Sequence, residues 1–175
     1  MTSNTNFIPL VSVIMNCYNS DKYLVEAIES VLNQKYTNWE IIFWDNCSTD
    51  KSSKIAKSFD KKVKYFYSKN NFSLGKARNL ALKKVTGKYI AFIDCDDVWF
   101  DKNKLKNQVM YMESNLEYAL SYDGLEEIFL DGTHFQFVNN IHKSGFILEN
   151  LLFQFDIPIV SSIIRTSHLS ESGLS

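Results

Sequence analysis

This 175-residue chain has no excess of either charge: 19 basic residues stand against 20 acidic ones, leaving a formal charge of −1. Nucleic-acid binders usually carry a basic surplus, so no nucleic-acid partner is expected. No apolar run approaches the ~20 residues that a membrane-spanning helix requires, so no transmembrane segment is expected. The N-terminus, MTSNTNFIPL, lacks the charged start and apolar core of a signal peptide. Three cysteines, Cys17, Cys47 and Cys95, are an odd number without a CxxC spacing. That favours a reduced, cytoplasmic protein over a disulfide framework. Low-complexity stretches, internal repeats and linkers are missing as well.

What the chain does have is apolar material, 45% hydrophobic and 14% aromatic residues. Over this length that supplies one domain, 1–175, with a full core. Short apolar runs alternate with helix-period segments. Strands are predicted at 10–16, 39–45, 63–67, 89–94 and 118–122. Between them, Leu24, Ala27, Ile28, Val31 and Leu32 share one helical face, with Asn19, Ser20 and Asp21 as capping material. Ser48, Thr49 and Asp50 are read as the start of a second helix carrying Ile55 and Phe59. Gly75 opens a third, with Ala77, Leu80, Ala81 and Val85 on one face and Thr86-Gly87 at its close. Leu105, Val109 and Met112 mark a fourth. Near-continuous apolar strands alternating with helices predict an α/β fold with a mainly parallel central sheet covered on both faces. After Tyr122, a small antiparallel hairpin is expected around Asp131-Gly132-Thr133. A short helix at 148–155 and a strand at 159–164 should follow.

Open parallel sheets bind ligands beyond the carboxyl ends of their strands. Here those ends read Asn16-Cys17-Tyr18-Asn19, Asp45-Asn46 and Asp94-Cys95-Asp96-Asp97. An apolar strand running into three crowded carboxylates calls for a cation, a proton or a set of donors. Asp94 and Asp96, two apart on an extended backbone, should project together and can hold a hard divalent ion. Asp97 suits a turn or a helix cap. Asp45 gains meaning by sharing the edge with Asp96. Tyr18 could offer an aromatic face to a planar base, against simple packing. Arg78, with Lys76 nearby, could approach a phosphate at a helix N-terminus, against a solvated helix charge. The three cysteines lie near strand ends, but their spacing fits no zinc motif. His134, His142 and His168 have no ligand spacing either.

Four blocks, taken in order, resemble the family 2 glycosyltransferases of the GT-A (Rossmann-like) nucleotide-sugar fold. PLVSVIMNCYN (9–19) is similar to the opening strand and loop of that family, and EIIFWDNCSTD (40–50) to its second strand. NNFSLGKARNLALKKVTGKYIAFIDCDDVW (70–99) resembles the helix and the metal-binding Asp-x-Asp strand. PIVSSIIRTSHLSESG (158–173) resembles the later strand and turn. The resemblance implies a nucleotide sugar, UDP-sugar favoured, whose uracil-type base lies near Tyr18 and Asp45, with Asn19, Lys76 and Arg78 by the nucleotide. It further implies Asp94 at the ribose or sugar, and Asp96 as main ligand of Mn²⁺ or Mg²⁺. Transfer would be inverting, to a glycan or lipid-linked acceptor, in the cytoplasm or at the inner face of the membrane. Any peripheral membrane association would come through regions outside this sequence.

Two departures stand out. Asn46 and Cys47 replace the commoner Asp and Gly, and Asn16 stands where Pro is frequent, which should affect only loop stiffness. The family's general base comes from an acidic pair expected beyond Ser175. The chain therefore reads as the donor-binding part of such an enzyme, and the alternative is a catalytically incomplete nucleotide-binding fragment. DCDDV (94–98) also fits a haloacid-dehalogenase-type phosphatase, with Asp94 as nucleophile. That signature belongs on a first strand, whereas three strand–helix units precede it here. A receiver domain would need an acidic pair after the first strand, where Asn16-Cys17 stands.

Overall fold

The computed structural model describes residues 8–129, 132–137, 145 and 157–171. Five strands appear where the apolar runs predict them: β1 (Val11–Cys17), β2 (Trp39–Asp45), β3 (Val63–Tyr67), β4 (Tyr89–Phe92) and β5 (Leu120–Tyr122). A hairpin of β6 (Leu125–Ile128) and β7 (His134–Phe137) follows, and β8 (Ser162–Arg165) comes last. The central sheet has the order β3-β2-β1-β4-β8-β5. Strands β1 to β4 run parallel, while β8 lies antiparallel between β4 and β5.

All seven residues of β2 and six of seven in β1 are buried, as strands covered on both faces must be. Alternation along β1 divides the core. Val13, Met15 and Cys17 face helices α1 (Leu24–Leu32) and α4 (Lys104–Ser114), joined by Ala56 of α2 (Ser52–Ser58). Ile14 faces the other way, packing with Ile42, Trp44 and Phe92 against Ala77 and Ala81 of α3 (Leu74–Leu82). A last helix, α5 (Thr166–Glu171), follows β8. Fully buried Leu24 and Ile28 each contribute roughly 1.5–3 kcal/mol by leaving water.

At the amino edge of the sheet a buried polar knot ties three strands. Ser12 Oγ donates to Glu40 Oε1 (2.7 Å) and accepts from Gly87 N (2.9 Å), while Thr86 Oγ1 donates to the same carboxylate (2.8 Å). Lys64 pairs with the other Glu40 oxygen. Burial alone would raise the Glu40 pKa, but the bonds from Lys64, Ser12 and Thr86 outweigh it and hold the pKa below the ordinary glutamate value. Gly87 passes so close to β1 that an added Cβ would lie 2.7 Å from the Leu10 carbonyl oxygen.

Several local expectations are corrected. Asn19, Ser20 and Asp21 do not cap α1, which begins at Leu24 after Tyr23 without a side-chain cap. Their groups bond across to the β2–α2 loop instead. Helix α2 starts only at Ser52, whose N–H is accepted by Asp50 Oδ1 (3.0 Å). Phe59 lies just past its end, yet still packs on the core. Strand β4 stops at Phe92, and the segment predicted as a strand over 159–164 begins as a 3₁₀ turn, Ile159–Ser161. Gly132 (φ +82°) sits in the β6–β7 connection, as the Gly turn requires. The helix expected at 148–155 lies outside the described residues.

Candidate functional site

The register sets the carboxyl ends of β1 and β2 level, with Cys17 opposite Asp45. Strand β4 joins the other flank of β1, with Phe92 opposite Ile14 and Ile93 N–H donating to Ile14 O (3.1 Å). Three strand ends therefore converge on one edge, where two adjoining cavities open. The larger, about 420 Å³, has Asp94, Asp96, Asn19, Lys22 and Tyr23 on its walls. The smaller, about 210 Å³, is walled by Tyr18, Asn46, Asn71 and Phe72. Asn16 and Leu74 border both.

The backbone is not extended through the acidic cluster. It turns at Cys95–Asp96, closed by Asp97 N–H donating to Asp94 O (3.2 Å). Asp94 and Asp96 nonetheless share one wall. The same turn leaves Asp97 half-buried, and its pKa is pushed up to about 6 by burial and then by the charges of Asp94 and Asp96. Negative charge is thus crowded here. Arg78 NH2 meets Asp94 Oδ1 at 3.3 Å and balances only part of it. Among the described residues no group of three or more His, Cys, Asp or Glu is arranged to hold a metal. Asp94 and Asp96 offer hard oxygens suited to Mg²⁺ or Mn²⁺, a partial ligand set that phosphate oxygens and water would complete.

Asp45 is fully buried. It accepts from Ser48 N (2.8 Å) and Tyr65 Oη (2.5 Å), which organise the loop after β2. It borders neither cavity, and neither do Lys76, whose ammonium lies 4.0 Å from the Phe72 ring centroid, or Arg78. Asn19 (φ +49°) is exposed and accepts from Thr49 N (2.8 Å), while its own N–H donates to Ser48 Oγ (3.0 Å). Ser20 N and Asp21 N donate to Ser52 Oγ and Asp50 Oδ2, both at 3.0 Å. The β1 and β2 loops are thereby tied into one rim. Tyr18 is half exposed on the smaller cavity.

Sequence reasoning missed Lys22, Tyr23, Asn71 and Phe72, which carry no spacing signal. It also assigned too little to Asn16 and Asn46. Asn46 Nδ2 donates to Asn71 Oδ1 and Phe72 O, both 2.8 Å, and its Oδ1 accepts from Phe72 N (3.2 Å). Its amide therefore clasps the segment leading into α3. Asn16 Nδ2 is buried without a hydrogen-bond partner at the border of the two cavities. An orphan donor of this kind commonly marks a place where water or a ligand completes the bonding. Of the cysteines, Cys95 Sγ donates to Asn16 O (3.3 Å) and Cys47 Sγ to Lys69 O (3.5 Å), Cys17 is buried, and all three are free thiols.

Residues 12–166 match the glycosyl transferase family 2 pattern. The chain belongs to glycosyl transferase family 2. TuaG of Bacillus subtilis, a glycosyltransferase named for teichuronic acid biosynthesis, is 39% identical over 132 residues, covering 74% of this chain and 52% of TuaG. WfgD of Escherichia coli, a UDP-Glc:alpha-D-GlcNAc-diphosphoundecaprenol beta-1,3-glucosyltransferase, is 39% identical over 107 residues, 61% of this chain and 42% of WfgD. The crystal structure of S. aureus TarS 1–349 in complex with UDP-GlcNAc shares the fold, with a TM-score of 0.71 and 24% identity over 93% of this chain and 47% of TarS. The chain thus spans about half or less of the relatives it matches. Family membership sets aside the phosphatase and receiver readings. Among the described residues no helix is long and apolar enough to cross a membrane.

Proposed function

We propose that this family 2 domain binds a nucleotide-sugar donor, UDP-sugar favoured, for inverting transfer to a glycan or lipid-linked acceptor. The observation that carries the reading is the pairing of Asp94 and Asp96 on the wall of one cavity that adjoins a second, amide- and aromatic-lined one. A flat base fits beside Tyr18 and Phe72, and the diphosphate then falls toward the carboxylates. Asp96, assisted by Asp94, would hold Mn²⁺ or Mg²⁺, which when bound neutralises charge on the leaving diphosphate. Arg78 orients Asp94. Asp45 acts indirectly, fixing the rim through Ser48 and Tyr65. The UDP-sugar preference and the lipid-linked acceptor are supported by the name of WfgD, 39% identical.

Inversion requires a base on the acceptor hydroxyl, opposite the leaving group, a role distinct from holding the donor. Donor binding and turnover therefore separate experimentally. A thermal-shift panel of UDP, GDP, CDP and dTDP, each with and without Mn²⁺, tests the donor site. Metal-dependent stabilisation by UDP is expected, and it should vanish in Asp96→Ala. Full UDP affinity in that variant with Mn²⁺ present would overturn the assignment of Asp96. Sugar transfer by a longer chain, but not by this one, would identify the present sequence as the donor half.

A further inference from the structure

The two cations that spacing favours for phosphate recognition stand off the cavity walls. Arg78 is paired with Asp94, and neither it nor Lys76 borders either cavity. A different cation stands on the wall. Lys22, in the loop between β1 and α1, borders the larger cavity together with Asp94 and Asp96. Among the described residues no other basic residue borders either cavity. An exposed lysine is most often a solvated charge. Lys22 differs because its ammonium lies 4.5 Å from the centroid of the Tyr23 ring, and Tyr23 borders the same cavity. The cation–π contact restrains the flexible side chain at that mouth.

The charges then decide what Lys22 is for. Arg78 shares the charge of Asp94 from outside the cavity, whereas Lys22 is, among the described residues, the one basic residue on the cavity wall itself, so the charge that a nucleoside diphosphate brings in meets Lys22 there. From this we infer that Lys22 contacts the diphosphate of the donor, held toward it by Tyr23. The inference rests on the donor-site reading and adds a residue to it. Lys22 recognises phosphate and not base, so its contribution should depend on the number of phosphates and on salt, which screens a half-open ion pair.

Calorimetric titration with UDP in the presence of Mn²⁺, and NMR titration with uridine in the presence of diamagnetic Mg²⁺, test it. Lys22→Met should weaken UDP binding roughly tenfold, as loss of a charged hydrogen bond does. It should also flatten the salt dependence, leave uridine unchanged, and be rescued in part by Lys22→Arg. Tyr23→Leu should weaken UDP binding by a smaller factor. Lys83→Met, which removes an exposed charge remote from both cavities, should change nothing. Unchanged UDP affinity in Lys22→Met, with Asp96→Ala still abolishing it, would overturn the role of Lys22 and leave the donor site standing. Equal losses for UDP and uridine would also overturn it. A wild-type chain that binds no nucleotide with Mn²⁺ would overturn both.

Discussion

Asn46 and Cys47 depart together from the Asp-Gly pair common in the family, and the structure gives the two departures opposite signs. Asn46 needs its amide, because Nδ2 faces two acceptors, Asn71 Oδ1 and Phe72 O. A carboxylate there would set oxygen against oxygen. Asn46→Asp, though it restores the commoner residue, should destabilise the domain by roughly 2–3 kcal/mol, read from the urea midpoint. Cys47 adopts φ +73°, a conformation that glycine takes without strain. Cys47→Gly should therefore stabilise by roughly 1 kcal/mol in the same titration. If both variants move the midpoint in one direction, the account of this loop fails. Asn16 offers a similar lesson. Its amide is an unpartnered donor beside both cavities, so its effect cannot be limited to loop stiffness.

Among the elements, what could be read from sequence was the periodicity and what could not was the ends. Leu24, Ala27, Ile28 and Val31 repeat at helical spacing, and the structure buries all four. The helix beginnings were misread because Asn19 and Asp21 are good local caps whose oxygens face a neighbouring loop instead, and Asp50 divides its carboxylate between Ser52 N and Asp21 N. Such long-range partners leave no trace in local spacing. The edge carrying Asp94 and Asp96 was legible, since parallel strands put their carboxyl ends together. Lys22 and Phe72 were not, because only folding brings their loops to that edge. The turn at Gly87 is an element-level constraint of the same type. Ala at this position would drive a methyl carbon into the Leu10 carbonyl and the Ser12 amide of the neighbouring chain segment. Gly87→Ala should cost roughly 1–3 kcal/mol by forcing β1 and β4 apart, measured by chemical denaturation. An unchanged midpoint would mean that the backbone yields there freely.

At the scale of the whole molecule, the near balance of charge makes acid stability depend on particular buried groups. Glu40 is the clearest of them. Its folded pKa is lowered, so its stabilisation is present above the ordinary glutamate value and is lost as pH falls through the folded one. Stability of the wild type should decline over that acidic window, and Glu40→Gln should be less stable at neutral pH but flatter below it. A variant whose pH profile stays parallel to wild type would remove Glu40 from the cause.

Strand β8 has a consequence for how the chain is made. It is the last of the described strands in sequence, yet it sits between β4 and β5. On the ribosome, β1 to β4 can pair as they emerge, giving a four-stranded parallel sheet from residues 11–92. Strand β5 must wait, without a neighbour in that sheet, until Ser162–Arg165 has been synthesised. During that interval the flank of β4 is a bare ladder edge, open to pairing with other nascent chains. Only the arrival of β8 closes it.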